Sequence, residues 1–130
     1  NVMVMDLFPG IQENVVRHMF NTPGIRGIVL KSFGSGNGPS DPWFISALSE
    51  AISRGIVIIN ISQCSNGSVM PGLYSAGLGI SQAGVISGHD LTAEASITKL
   101  MHLLGTEESA ERVVELMSRS LCGEMTTAME

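Results

Sequence analysis

Apolar residues reach this chain in two rhythms. Short, nearly unbroken runs at Val2 to Met5, Ile25 to Lys31, Ile56 to Ile61 and Val85-Ile86 are rich in β-branched side chains, the pattern of strands buried on both faces of a parallel sheet. Between the runs the period lengthens. Ile11, Val15 and Met19 recur at i, i+4 and i+8 and predict a helix that Asn21-Thr22-Pro23-Gly24 ends. A second helix is expected from Pro42 to Ser53, with Ser40 or Asp41 as its cap, Phe44, Leu48, Ala51 and Ile52 on one face and Gly55 closing it. Pro71 to Ile80 places Leu73, Ala76, Gly77 and Ile80 at helical spacing, against three glycines that each lower helix propensity by roughly 1 kcal/mol relative to alanine. Asp90 or Thr92 opens the next helix, with Ala93, Ile97, Leu100, Met101 and Leu104 inward and Gly105 at its end. Thr106 then caps a last helix striped by Ala110, Val113, Val114, Met117 and Leu121. Strands alternating with helices predict an α/β fold, a three-layer domain with a parallel sheet of about four strands flanked by helices. No linker interrupts it, so 1–130 reads as one domain.

The densest stretch is Gly27 to Phe44, a strand, a glycine-rich loop and a helix start. Gly34, Gly36 and Gly38 alternate along the loop, where the missing Cβ lets backbone approach a ligand or another chain. Asn37 stands among them with a carboxamide that both donates and accepts. The order strand, loop, helix puts the loop at the carboxyl end of the strand, the edge where open α/β sheets bind ligands. The polar run Ser62 to Gly67 falls on the same edge if the two strands are parallel. The glycine spacing matches neither the dinucleotide fingerprint nor a P-loop. A plain βα connection without a ligand is an equal reading of this loop.

Composition narrows the partners. With 44% hydrophobic and 15% charged residues, the chain carries more apolar surface than a solitary monomer needs, which points either to an interaction face or to a sheet covered on both sides. A net charge of −5 without a basic cluster argues against nucleic acid and anionic membranes. No apolar run approaches the roughly twenty residues of a membrane span. The start lacks a signal-peptide pattern, so a cytoplasmic location is the default. Cys64 and Cys122 offer neither a disulfide framework nor metal-ligand spacing. Asn1, in place of methionine, stands directly in a strand-like run and reads as the start of a fragment.

Catalytic chemistry is hard to assemble from these residues. His18 and His102 fall on predicted helices without a catalytic neighbour, and His89-Asp90 reads as part of a helix cap. Gly79 to Ala83 follows a helical segment and lacks the strand that a nucleophile elbow needs. Cys64 reads as a structural thiol, and Glu111, Glu115 and Glu124 as a solvated face. No cofactor or metal is expected.

LFPG near the start, GIVLKSFGSGNGP, RGIVIINISQCSNGSV and AGVISGHDLTAEASITKLMHLL together resemble the carboxy-terminal domain of the cytoplasmic (type I) bacterial L-asparaginases. The resemblance covers nearly the whole chain; GxGN at Gly34 to Asn37 and SQC at Ser62 to Cys64 are its more specific parts. It implies a two-domain, homo-oligomeric enzyme, a dimer or tetramer, that hydrolyses L-asparagine through a threonine on an amino-terminal catalytic domain. The TGGT and HGTDT motifs of that domain do not occur here, so this chain alone is expected to be inactive. The resemblance gives Asn37 a supporting catalytic role across a subunit boundary. It places a second, allosteric asparagine site at Lys31, Asn37, Ser62 and Cys64. Lys31 stands where the family often has arginine and Ser62 where it often has threonine; lysine keeps the charge but loses the bidentate fork that grips a carboxylate. Two other readings share the fold or the surface: the asparaginase-like part of a glutamyl-tRNA amidotransferase subunit, and a freestanding amino-acid-binding module.

Overall fold

The computed structural model describes residues 1–34, 37–64, 68 and 75–126, the last stretch with side chains from 79 onward. Four strands, β1 (Val2–Asp6), β2 (Gly27–Ser32), β3 (Val57–Ser62) and β4 (Ile86–Ser87), lie side by side in chain order, and every neighbouring pair is parallel. The connections are α1 (Glu13–Phe20), α2 (Pro42–Ser53) and α3 (Ser75–Gln82). After β4 the chain returns through α4 (Ala93–Thr106) and α5 (Ala110–Met117).

Strand alternation divides the core in two. Ile28, Leu30 and Ile58 pack with Val16, Phe20, Phe44 and Leu48 beneath α1 and α2. Val29, Val57, Ile59 and Ile61 pack with Leu100, Leu103, Val113 and Met117 beneath α4 and α5. This is the expected three-layer α/β domain, and apolar residues at consecutive strand positions are what two covered faces require.

Several helix details differ from the sequence reading, each for a physical reason. Ile11 is buried ahead of α1, so the helix starts at Glu13 and turns Val16 and Phe20 inward while Val15 is 44% exposed. Along α4 the inward stripe is Ser96, Lys99, Leu100, Leu103 and Leu104, which leaves Met101 53% exposed. Thr106 belongs to the last turn of α4, where its hydroxyl donates to His102, and Ser109 caps α5 by accepting from the Arg112 amide. Leu121 lies beyond α5 and is exposed. In α3 the predicted positions 71–74 fall outside the described residues. Gly79 is explained by close packing, since a Cβ there would come within 3.2 Å of Ile45 on α2.

α4 crosses the sheet against the strand direction. Its C-terminal turn lies over the start of β2, where a Cβ on Gly27 would be 2.7 Å from Leu100 and 3.0 Å from Leu104. There the Arg26 guanidinium donates to the Leu104 carbonyl at 3.1 Å, a favourable place for a cation at a helix C-terminus. The N-terminus of α4 therefore lies at the carboxyl edge of the sheet, beside the strand ends. No helix among the described residues is long and apolar enough to cross a membrane.

Candidate functional site

The carboxyl edge is tied together by one side chain. Gln63, the first residue after β3, donates from its backbone amide to the Ser32 carbonyl at 2.8 Å. Its carboxamide donates to the Lys31 carbonyl at 2.8 Å and to the Leu7 carbonyl. Leu7 itself donates to Lys31 at 3.0 Å. The ends of β1, β2 and β3 are thereby held in one register, with Asp6 beside Lys31 and Ser32 beside Ser62.

Lys31 shares strand parity with Gly27 and Val29, so it rises on the face that α4 covers. Its ammonium pairs with Asp6 at 3.3 Å, and the lysine side chain is 29% exposed. Thr92 caps α4 through a 3.1 Å bond from the Ala95 amide to its hydroxyl; Asp90, the other candidate for this cap, instead accepts the Thr126 amide at 2.7 Å. That donation holds the Asp90 carboxyl below the usual carboxylate range. Lys31, the Ser62 to Cys64 segment and the Leu91 to Glu94 segment together line a cavity of about 230 Å³. The Ser62 hydroxyl accepts from the Cys64 amide at 3.1 Å, and Cys64 is an exposed free thiol rather than a buried structural one. Of the four residues that the resemblance groups, Lys31, Asn37, Ser62 and Cys64, the cavity brings together Lys31, Ser62 and Cys64. Glu94 and Thr92 join them without a local signal in the sequence, since they reach the strand ends only because α4 returns across the sheet.

The cavity combines a cation from β2, a carboxylate from Glu94, a hydroxyl from Ser62 and the N-terminal turn of α4. First-turn amides of a helix lack intrahelical acceptors and favour negative charge. Such a set can hold a small molecule carrying both a carboxylate and an ammonium.

Asn37 is placed elsewhere. Its backbone pairs with Phe33, the Phe33 amide donating to the Asn37 carbonyl at 2.7 Å and the Asn37 amide to the Phe33 carbonyl at 2.9 Å. Residues 35 and 36 of this loop, like 65–67 of the second, lie outside the described residues. After the turn the chain passes to the opposite face of the sheet: a Cβ on Gly38 would come within 2.9 Å of Leu7 and 3.1 Å of Ile80. Asn37 is accordingly not among the described residues that line the cavity.

Glu124, which sequence alone predicted on a solvated face, instead belongs to a buried ion pair. Lys99 Nζ is 2.7 Å from Glu124 Oε2, with side-chain exposures of 6% and 13%. Burial pushes the Glu124 carboxyl up, but donation from the Cys122 amide, the Lys99 ammonium and the Leu121 amide outweighs it and lowers the carboxyl to about 2. Glu115 does stand on the surface, paired with Arg112 and Arg119. His18 and His102 are exposed.

Known proteins share this sequence and fold. Residues 1–117 match the family model described as the glutaminase/asparaginase C-terminal domain. L-asparaginase 1 of Escherichia coli (strain K12) is 42% identical over 123 residues, 95% of this chain and 36% of that protein. The 60 kDa lysophospholipase of Homo sapiens is 42% identical over 127 residues, 97% of this chain and 22% of that protein. The crystal structure of L-asparaginase I from Vibrio cholerae O1 biovar eltor str. N16961 superposes with a TM-score of 0.91 at 39% identity, over 97% of this chain and 38% of that one. The chain thus spans well under half the length of each of these relatives.

Proposed function

The chain belongs to the glutaminase/asparaginase C-terminal domain family, and from that premise we propose that it serves a cytoplasmic, homo-oligomeric enzyme that hydrolyses L-asparagine to aspartate and ammonia. In this reading the nucleophile is a threonine on an amino-terminal catalytic domain. The domain described above contributes an effector site and one residue to a neighbouring subunit's active site. The observation that carries the effector site is the meeting of Lys31 and Glu94 across one cavity at the α4 N-terminus. A free α-amino acid is a zwitterion whose carboxylate suits Lys31 and the helix N-terminus and whose ammonium suits Glu94. Ser62 supplies a further polar contact and Cys64 a wall.

The test is the rate of asparagine hydrolysis by the full-length enzyme as asparagine concentration rises. A coupled site is expected to give a sigmoidal curve with a coupling free energy of about 1 to 3 kcal/mol. Lys31→Ala is expected to make that curve hyperbolic. A sigmoidal curve that survives the substitution would discard the cavity as the effector site, and a hyperbolic wild-type curve would deny it a regulatory role.

Asn37 is proposed to reach the neighbouring subunit's active site. The Phe33–Asn37 backbone pairing supports this by fixing the residue in a short turn without engaging its carboxamide. Removing one preorganised donor costs up to about 3 kcal/mol when the contact is made in the transition state, and less when it only positions. Asn37→Ala is therefore expected to lower kcat by up to about a hundredfold at an unchanged melting temperature. Wild-type kinetics in this variant would remove Asn37 from the reaction.

A further inference from the structure

We propose that residues 118–126, which follow α5, form a strap that sets the α4 wall of the cavity, so that docking of the strap and occupancy of the cavity reinforce each other. The ligand half of this inference rests on the reading of the cavity as an amino-acid site.

The strap runs back along α4 and is held at two polar points. Midway along the helix, Lys99 donates to the carbonyls of Met117 at 3.2 Å and Arg119 at 2.6 Å, besides its pairing with Glu124. The Glu124 carboxylate in turn accepts the Leu121 and Cys122 amides at 2.8 and 2.9 Å, which folds the strap around it. At the helix N-terminus, Asp90 accepts the Thr126 amide at 2.7 Å. Between these points Met125 is buried in the same cluster as Leu91, a residue of the cavity wall.

The Asp90 bond is not needed to shape its own turn. Leu91 already donates to the Gly88 carbonyl at 3.0 Å, and Thr92 already caps the helix. The bond instead joins two segments 36 residues apart, directly before the four residues, Leu91 to Glu94, that line the cavity from the α4 side. Its neighbour His89 has a φ of 52°, in the left-handed region, which a non-glycine residue keeps only when its surroundings enforce it. Gly88, one residue further back, is wedged against β3: a Cβ there would lie 2.6 Å from Ile61 and 3.0 Å from the Asn60 carbonyl oxygen. The turn is thus fixed on the β3 side by packing and on the outer side by the strap. Release of the strap frees the outer side, and with it the position of Leu91 to Glu94. Coupling between two binding events is reciprocal, so a ligand that fixes this wall also tightens the strap. Asp90 acts here as a positioning residue, without contact to the ligand.

Amide hydrogen exchange on the ligand-free protein tests the mechanical half. Asp90→Ala, at an exposed position, is expected to speed exchange at Leu91 and Ala95 by about tenfold, with exchange in β2 and β3 unchanged. Asp90→Asn, which keeps an acceptor oxygen for Thr126, is expected to restore the slow rates. Unchanged exchange at Leu91 and Ala95 in the alanine variant overturns the strap. Calorimetric titration with L-asparagine of the 130-residue chain, which lacks the motifs of the catalytic domain and so does not turn the ligand over, tests the coupling. Asp90→Ala is expected to weaken binding about five- to tenfold, and in the wild-type protein asparagine is expected to slow exchange at Leu121, Cys122 and Thr126. Equal affinity in variant and wild type overturns the coupling and leaves the cavity standing. If the wild-type protein binds no asparagine, the reading of the cavity falls, and the ligand-free exchange alone decides the strap.

Discussion

Replacing Lys99 with alanine is expected to cost about 3–5 kcal/mol of folding stability, the penalty for leaving the partner of a buried ion pair alone. Lys99 is on the inward stripe of α4, and its ammonium is shared among the Glu124 carboxylate, two backbone carbonyls and the sulfur of Met125 at 3.3 Å. Truncation strands all of these acceptors at once. A domain with a total stability of about 5–15 kcal/mol cannot absorb this without a visible shift of the urea midpoint. Replacing both partners together, Lys99→Met with Glu124→Leu, is expected to recover much of the loss, because no buried charge then lacks a counterion. The pair also sets an acid limit. The Glu124 carboxyl titrates at about 2 in the folded protein, below its ordinary value of 4.5. A depressed folded-state value means that the unfolded chain binds the proton first as pH falls, so this contribution is complete above about 4.5, declines below it and is lost as pH passes through about 2. Urea titrations at pH 7 and pH 3 should show Lys99→Ala losing less at the lower pH. A loss under about 1 kcal/mol at pH 7 would reduce the pair to the standing of a surface salt bridge.

That pair was not legible in the sequence, and the reason is distance along the chain. Lys99 falls between Ser96 and Leu100 on a stripe whose other members are uncharged, which marks the position as unusual. Its partner is 25 residues further on, past the end of α5, and nothing local predicts where a chain turns back. Local signals served better where the structure is local. The strand runs carried enough β-branched residues to be read directly, and Pro42 fixed the start of α2 at its true position. The stripe of α1 was misread because Ile11 was counted as its first member. That residue is buried ahead of the helix, and starting the 100° steps at Glu13 turns Val16 and Phe20 fully inward, keeps Met19 partly buried against the same cluster and, of the apolar positions, leaves only Val15 exposed.

The cavity was half legible for the same reason. Parallel neighbours put residues that end their strands on one edge, so Lys31, Ser62 and Cys64 could be grouped from the alternation of strands and helices alone. Thr92 and Glu94 could not, because their arrival depends on α4 crossing the sheet antiparallel to the strands. Asn37 was grouped with Lys31 by the family resemblance, and it is absent from the described lining of the cavity. Six residues of chain suffice to carry it around a turn and toward the other helical layer.

Phe44→Ala is expected to cost about 3–5 kcal/mol, the range for removing a fully buried phenylalanine, and to act on the Asn37 loop as well. The ring is wholly buried between α2 and the sheet and meets Trp43 edge-on, with centroids 5.8 Å apart and planes at 85°. It also forms part of the floor beneath the loop: a Cβ on Gly38 would lie 3.7 Å from the ring, with Leu7 and Ile80 closer still. Alanine leaves a cavity under the chain that immediately follows Asn37, and the Phe33–Asn37 pairing loses support on that side. Two effects should therefore separate from those of Asn37→Ala. The phenylalanine variant should lower the melting temperature and speed exchange at the Asn37 amide, whereas the asparagine variant should leave both unchanged. Phe44→Leu, which refills most of the volume, should lose no more than about 1.5 kcal/mol. A Phe44→Ala protein as stable as wild type, or one that is destabilised while the Asn37 amide keeps its protection, would show that the loop holds its shape without this ring.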